Sequence, residues 1–379
     1  MGHSVESFVG AYFAKLDALV SGLTKKTYWT LCVGAIAIAL SLLAHTPYRS
    51  LFRDVGQDWR FDVFRMQIAH PFTPIDLEPF KPAAQKEGAN GALGLSHLDK
   101  IAFRFSIPLI GKALHTGAAS FLVLNYAAGL LFFPMLAQVA NGIFRDRITA
   151  AYVTFAFALS WAGTQFFNDN HLGDGFAWAC LLASIYFRNP VLIFGLVLTA
   201  SFTDERALVG SAGALLYWLY IWLYIDRQRG RDALIAIVAA WVTYFVLRMS
   251  IAYTFGLKIG LSGLFLAYGL RPYAVLDVFQ GLWLWFIVGA IALYLGGRSV
   301  VLVGFVATLG CIGLVSLSVE DLQRSLGYAL LLLPVAWQAG GLEQATERAI
   351  ARGCFILGFC LIEPFNTVLR YCYHLWSRL

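Results

Sequence analysis

The stretch SVVLVGFVATLGCIGLVSL, residues 299–317, runs for nineteen residues without an Asp, Glu, Lys, Arg or His. As a helix rising ~1.5 Å per residue it would extend roughly 29 Å, close to the ~30 Å thickness of a bilayer's hydrocarbon core. Arg298 precedes it, and the next charges are Glu320 and Asp321. Such a run is the signature of a membrane-spanning helix. Working outward, runs of the same kind cover 28–44, 116–141, 149–166, 175–187, 190–203, 207–225, 233–253, 276–296, 326–340 and 353–372. The expected fold is all-α, a polytopic transmembrane helical bundle of about ten or eleven spans. The short pair 175–187 and 190–203 reads either as two spans or as one broken, re-entrant unit.

Composition agrees. Of 379 residues, 59% are hydrophobic and 13% charged, with a mean hydropathy of +0.69. Soluble domains carry about 25% charged residues, so a water-soluble fold is excluded. The net charge of +6 sits mostly in short loops between apolar runs. That distribution marks the cytoplasmic side of a membrane protein and not a nucleic-acid partner. Cys32, Cys180, Cys311, Cys354, Cys360 and Cys372 lie in or beside apolar segments without CxxC spacing. They read as small apolar residues, with no disulfide framework or zinc pattern.

Residues 1–26 read as a cytoplasmic amphipathic helix on the membrane surface, with Val5, Phe8, Val9, Tyr12, Phe13, Leu16, Leu19 and Val20 at helical spacing. Residues 27–379 read as one transmembrane domain, and Lys25 and Lys26 before the first span put the N-terminus in the cytoplasm. A long, partly helical, non-cytoplasmic loop follows over about 45–112. Trp59, Phe61, Phe64, Met66, Phe72 and Phe80 argue that it folds, whereas 83–98 is poor in large apolar groups and reads as its mobile part. Alternation then places the loops at 145–147, 188, 226–232, 298 and 343–352 on the cytoplasmic side, with most short-loop Lys and Arg. The loops near 45–112, 167–174, 204–206, 254–275 and 318–324 fall on the other side, with most of the loop carboxylates. No solenoid or inverted repeat is evident, which weighs against a secondary transporter.

Three constellations carry the functional reading. Asp54, Asp58 and Asp62 are four apart and would line one helix face. Their repulsion needs compensation by a cation, a metal or the neighbouring Arg53, Arg60 and Arg65. A solvated, salt-bridged face and a general base at the membrane surface both fit. Asn168-Asp169-Asn170-His171-Leu172-Gly173-Asp174 is either a polar loop with helix caps at Asn168 and Asp174, or a contact for a sugar or a divalent cation. Thr203-Asp204-Glu205-Arg206 squeezes three charges between apolar runs, where ionisable residues are functional candidates. Internal pairing of Arg206 with Asp204 or Glu205 is the alternative. Arg104, Lys112, Lys258, Arg271 and Arg324 are basic groups on the same face, suited to a phosphate or to interfacial anchoring. Trp218, Trp222, Trp283 and Trp285 read as interfacial belts.

A first span, a long non-cytoplasmic loop opening with acidic residues, and many further spans resemble the GT-C superfamily of integral membrane glycosyltransferases. Gln57-Asp58-Trp59-Arg60-Phe61-Asp62-Val63-Phe64 resembles the acidic-aromatic motif after the first span of such enzymes. The stretch from Phe103 to Ile110, with Arg104, Pro108 and Leu109, and the group Asp204-Glu205-Arg206 resemble further short motifs of bacterial members. The resemblance implies a polyprenyl-phosphate-linked sugar donor, a glycan or lipid acceptor, an inverting displacement and a bacterial inner membrane with a periplasmic site. It makes Asp58 the first choice for catalytic base and Asp54 the second. It assigns Asp62, Asp169, His171, Asp174, Asp204, Glu205 and Arg206 to substrate positioning, with a divalent cation as an optional cofactor. Arg104, Lys258, Arg271 and Arg324 become candidates for the lipid phosphate. A transporter or flippase of a lipid-linked or anionic substrate, and a non-catalytic assembly subunit, are the competing readings.

Overall fold

A computed structural model describes residues 2–45, 59–72, 102–117, 119–167, 173–257, 272–318 and 322–361. Among them the secondary structure is entirely helical. Helix α1 covers Gly2–Thr24, α2 Trp29–His45 and α3 Trp59–Ala69. The loop ends in α4, Ser106–Ala113, before α5, Ala119–Phe144. Next come α6, Arg147–Leu159, the single turn α7, Trp161–Thr164, and the hairpin α8, Asp174–Tyr186, with α9, Pro190–Ser201. Helices α10, Arg206–Tyr224, and α11, Arg227–Phe255, follow. Two broken units flank the long α14, Ser299–Leu317. The first is α12, Pro272–Phe279, a 3₁₀ turn over Gln280–Leu282, and α13, Trp283–Leu295. The second is α15, Leu322–Gly327, a 3₁₀ segment Tyr328–Leu331, and α16, Leu332–Gly340. Helix α17, Gln344–Cys360, closes the described chain.

Where they are described, the apolar runs read from the sequence are largely helical, the run at 353–372 being described only to residue 361, and five helical stretches are long and apolar enough to cross a membrane. Those are Ala119–Phe144, Arg206–Tyr224, Arg227–Phe255, Pro272–Leu295 and Ser299–Leu317. Shorter apolar helices occupy Trp29–Ala44, Arg147–Leu159, Asp174–Tyr186 and Pro190–Ser201. The doubtful pair resolves as two short antiparallel helices. Asn189 caps α9 by accepting from the Val191 amide at 2.9 Å, and Pro190 takes the first helical position. The run expected at 353–372 starts earlier, at Gln344, because its polar first turns are helical too. Residues 83–98 and Cys372 lie outside the described residues.

The core is assembled by close backbone approach and aromatic fill. A Cβ on Gly34 of α2 would meet the ring of Pro134 in α5 at 2.5 Å, so glycine is what lets these helices touch. Phe132, Phe133, Phe157, Phe166 and Trp178 pack edge to face behind that contact. Trp218 and Trp285 belong to this core, both fully buried, which corrects their reading as interfacial belts. Trp218 donates to the Ser184 carbonyl at 3.1 Å, and Trp285 packs on Phe144. Cys180 and Cys354 are buried as expected, whereas Cys311 and Cys360 face outward. On the perimeter, α11 and α14 expose Val242, Phe245, Met249, Val300, Val303 and Leu314. A surface so apolar needs lipid around it.

The two sets of loops gather at opposite ends of the bundle. At one end Phe72 stacks on Phe255 at 5.2 Å, and the Ser106 hydroxyl donates to the Thr199 carbonyl at 2.7 Å. Asp174, Arg206 and Arg324 from three further segments meet there as well. At the other end Arg147 donates to the Thr24 carbonyl at 3.0 Å, Arg348 pairs with Asp146, and Arg298 reaches the Ala339 carbonyl. The partition matches the grouping expected from charge and alternation.

Candidate functional site

The acid-rich end contains a largely buried cluster of charge. Asp174 opens α8, Asp204 and Glu205 form the turn between α9 and α10, and Arg206 begins α10. Arg104 arrives from the end of the long loop, and Arg324 from the broken unit before α16. Asp174 accepts from Arg324 Nε at 2.6 Å, from Arg206 Nη2 at 3.0 Å and from the Tyr328 hydroxyl at 2.9 Å. Arg206 grips Asp204 through Nε at 2.8 Å and Nη2 at 2.7 Å, while its Nη1 donates to Ser325 at 3.2 Å. Arg104 bridges Asp204 at 3.0 Å and Glu205 at 3.1 Å. Among the described residues, three carboxylates and three guanidiniums face one another here. Fork-shaped guanidiniums suit this work because each can bond two carboxylates at once.

Electrostatics follows from the pairing. Burial pushes the Asp204 carboxyl up, but Arg104 and Arg206 outweigh it and hold the group well below the usual carboxylate range. Glu205 is also held low: burial and Asp204 raise it, and Arg104 and Arg206 more than offset them. Burial works against the Arg104 cation, yet Asp204 and Glu205 leave it more firmly protonated than an ordinary arginine. Neither Asp204 nor Glu205 is poised to take a proton near neutral pH. Guanidinium groups also stand where a cation would sit between Asp174 and Asp204. Among the described residues no group of three or more His, Cys, Asp and Glu is arranged to hold a metal.

Local sequence explains the placement. Gly173 caps α8 with φ +92°, a left-handed conformation suited to glycine, and Ile107 packs where its Cβ would be. Asp174 is consequently the first helical residue and not the cap. Its carboxylate turns into the cluster, which corrects its reading as a capping group. Buried Asn125 holds the same helix start. It donates to the Gln165 and Phe166 carbonyls at 3.2 and 3.0 Å and accepts from the Phe176 amide at 3.1 Å. Arg206 does pair with its neighbour Asp204, as one reading of that tetrad anticipated.

Of the other candidates, Asp62 lies on α3 and pairs with Arg65 while both remain about half exposed. It stands outside the buried cluster, so the salt-bridged reading holds for this carboxylate. Its helix sits at the same end of the bundle: Phe64 stacks on Phe121, and Lys112 donates to the Ala69 carbonyl at 3.2 Å. Asp54, Asp58, Asp169, His171, Lys258 and Arg271 lie outside the described residues. Sequence reading missed Tyr328 and Ser325, whose hydroxyls complete the cluster, and also Asp277, Tyr244 and Arg248. Asp277 is buried in α12 and accepts from Gln323 at 2.9 Å. Arg248 lies over the Phe103 ring at 4.1 Å. Asp277 and Arg248 were findable, because each is an ionisable residue inside an apolar run.

Compared with known proteins, this helical chain with its largely buried charge cluster matches no family model, no curated protein and no solved structure.

Proposed function

We propose that the chain is an integral membrane glycosyltransferase that moves a sugar from a polyprenyl-phosphate carrier to a glycan or lipid acceptor, with inversion. One observation carries the reading. Charged side chains from segments more than 200 residues apart in sequence, Arg104 to Arg324, converge at one end of a lipid-facing bundle, beside the helix that begins at Trp59. The division of labour follows from their pairing. Asp174, Asp204 and Glu205 are neutralised by Arg324, Arg206 and Arg104, so they serve as scaffold. The base falls to the acidic group just before α3, Asp58 first and Asp54 second. A carboxylate there meets an acceptor hydroxyl at the membrane surface. Asp62, Asp169 and His171 contact the sugars, with a divalent cation where the donor needs one. Lys258 and Arg271 bind the lipid phosphate, while Arg104 and Arg324, candidates for it by resemblance, stay with the scaffold carboxylates. The basic end faces the cytoplasm of a bacterial inner membrane, and the acid-rich end faces the periplasm.

The test is incubation of purified protein with radiolabelled polyprenyl-phosphate sugars. Label is expected to leave the carrier with wild type and to fall by about 10² or more in Asp58→Asn, the usual scale for losing a general base. Unchanged transfer by Asp58→Asn removes that residue from the mechanism. Flux of a lipid-linked substrate across sealed vesicles, with no transfer, supports the transporter reading instead.

A further inference from the structure

We infer that Arg188, Arg229 and Tyr217 form an anion site at the basic end of the bundle, suited to the dianion of a phosphate monoester. It lies at the opposite end from the proposed sugar transfer and is independent of that reading.

Other arginines at this end are spent on the protein. Arg147 donates to the Thr24 carbonyl, Arg298 to the Ala339 carbonyl, Arg348 binds Asp146, and Arg352 binds Asp17. Arg188 and Arg229 differ. Arg188 is exposed in the turn between α8 and α9, and Arg229 is half-buried in the first turn of α11. Their charges are near enough to act on each other, and both act on the Tyr217 hydroxyl of α10. Among the described residues neither guanidinium makes an ion pair or a hydrogen bond, and the Tyr217 hydroxyl makes no hydrogen bond. The turns of this end, 145–146, 187–189, 225–226, 296–298 and 341–343, are all described. The nearby acids are engaged. Asp226 accepts from the Arg229 amide at 3.0 Å as the cap of α11, and Asp232 pairs with Arg231 at 3.1 Å.

The group is held in place by packing. The Arg229 guanidinium lies over the Trp218 ring at 5.1 Å. Trp218 is fully buried, and its indole donates to the Ser184 carbonyl at 3.1 Å, four residues before Arg188. Tyr217 packs edge to face on the same indole at 5.4 Å. A Cβ on Gly230 would collide with the Trp222 backbone, so α11 starts tight against α10 and carries Arg229 onto Trp218. The Arg229 Nε is buried without an acceptor, while its two Nη groups are not enclosed.

Two like charges held side by side repel, and a bound anion relieves the repulsion. The donor set narrows which anion. Two guanidinium forks and a hydroxyl exceed what the two oxygens and single charge of a carboxylate can use. A phosphate monoester carries about −1.5 to −2 charge near neutral pH and three acceptor oxygens, which meets both the charge and the donors. Such a group reaches the basic end on a lipid, as the headgroup of phosphatidic acid, or on a soluble molecule.

The test uses the full chain in phosphatidylcholine nanodiscs. One arm adds inorganic phosphate, a second replaces part of the lipid with phosphatidic acid, and a third adds acetate. The thermal midpoint, followed against concentration, gives an apparent affinity in each arm. The wild-type midpoint is expected to rise with at least one phosphate source and to stay level with acetate. Arg188→Gln, an exposed position that folding does not require, should weaken the response about tenfold or more, the scale of a charge-assisted bond. Tyr217→Phe, which keeps the ring and removes the hydroxyl, should weaken it less. A response to inorganic phosphate supports a soluble source, and a response to phosphatidic acid alone supports a lipid headgroup. No response in either phosphate arm, an equal response in Arg188→Gln, or acetate as effective as phosphate overturns the inference.

Discussion

At the acid-rich end of the bundle, Asp174 and Asp204 are wholly buried, and Arg104, which joins Asp204 to the part-exposed Glu205, is 4% exposed. At the opposite end, Asp17 binds Arg352 and Tyr152, and Asp146 binds Arg348, yet Asp17 is 27% exposed and Arg348 33%. Both ends use arginine and aspartate at hydrogen-bonding distance. The difference is access of water, and it changes what each pair does. Exposed pairs contribute ~0–1 kcal/mol and yield to salt. Buried pairs contribute little net stability, but removing one partner strands an ion in a medium that cannot solvate it. The basic end is therefore a set of tolerant ties, and the acid-rich end an ion-paired lock whose parts must all be present.

The way helices start differs in the same sense. Asp146 and Asp226 at the basic end spend their carboxylates on backbone amides, at 3.2 Å to Thr149 and 3.0 Å to Arg229. Asp146 is held below the usual carboxylate range: burial raises it, while the Thr149 hydroxyl and Arg348 bring it down further. At the acid-rich end, Gly173 and Glu205 cap their helices without a side-chain bond; Asp204 accepts from the Arg206 amide at 2.9 Å, and the carboxylates otherwise go chiefly to arginines. Asp226 serves the helix it starts, and Asp146 both caps its helix and reaches Arg348 of α17. The cluster carboxylates join helices that are distant in sequence.

The largest expected effect comes from Asp174→Ala, which leaves Arg206 and Arg324 without their shared anion. The loss should be about 3–5 kcal/mol, read as a lower thermal midpoint in detergent. An unchanged midpoint would mean that the lock is not what holds α8, α10 and α15 together.

Acidification should come next. Asp204 and Glu205 have folded-state pKa values below their ordinary 3.8 and 4.5, so the folded chain binds fewer protons than the unfolded one. Their contribution is complete above those ordinary values and is lost as pH falls beneath them. Thermal midpoints measured from pH 6 down to pH 3 should drop steeply in wild type and less steeply in Glu205→Gln. Equal slopes would separate acid sensitivity from the cluster.

The smallest effect belongs to Asp17→Asn, which loosens α1 from Tyr152 and Arg352. It should cost less than about 1 kcal/mol, and less still at high salt. A loss as large as that of Asp174→Ala would erase the contrast between the two ends.

Much of this architecture was legible in the sequence, because hydrocarbon imposes a long uncharged period that no loop imitates. The run 299–317 became α14 residue for residue. Asp204, Glu205 and Arg206 were legible as charges with nowhere to go between apolar runs. Their partners were harder to see. Arg104 and Arg324 carry no local mark that they point at Asp204 and Asp174, since that is fixed by tertiary packing. Asp174 was ambiguous because an aspartate at a helix start is usually a cap; only the left-handed Gly173 moved it one position inward. Trp218 and Trp285 were misplaced because tryptophan suits both an interface and a large buried cavity, and period alone does not separate them. Arg248 went unweighed inside a run that was otherwise uniformly apolar.

The separation of the two ends across a membrane is open to direct measurement by labelling with a membrane-impermeant thiol reagent. Asp62→Cys and Arg188→Cys, each in a background without other cysteines, would be labelled in intact spheroplasts. Both positions are exposed, one on α3 at the acid-rich end and one in the turn between α8 and α9 at the basic end. Residue 62 should react in intact cells, and residue 188 only after the membrane is opened. Reaction of both from the same side would contradict the two-ended bundle and remove the proposed site from the outer face.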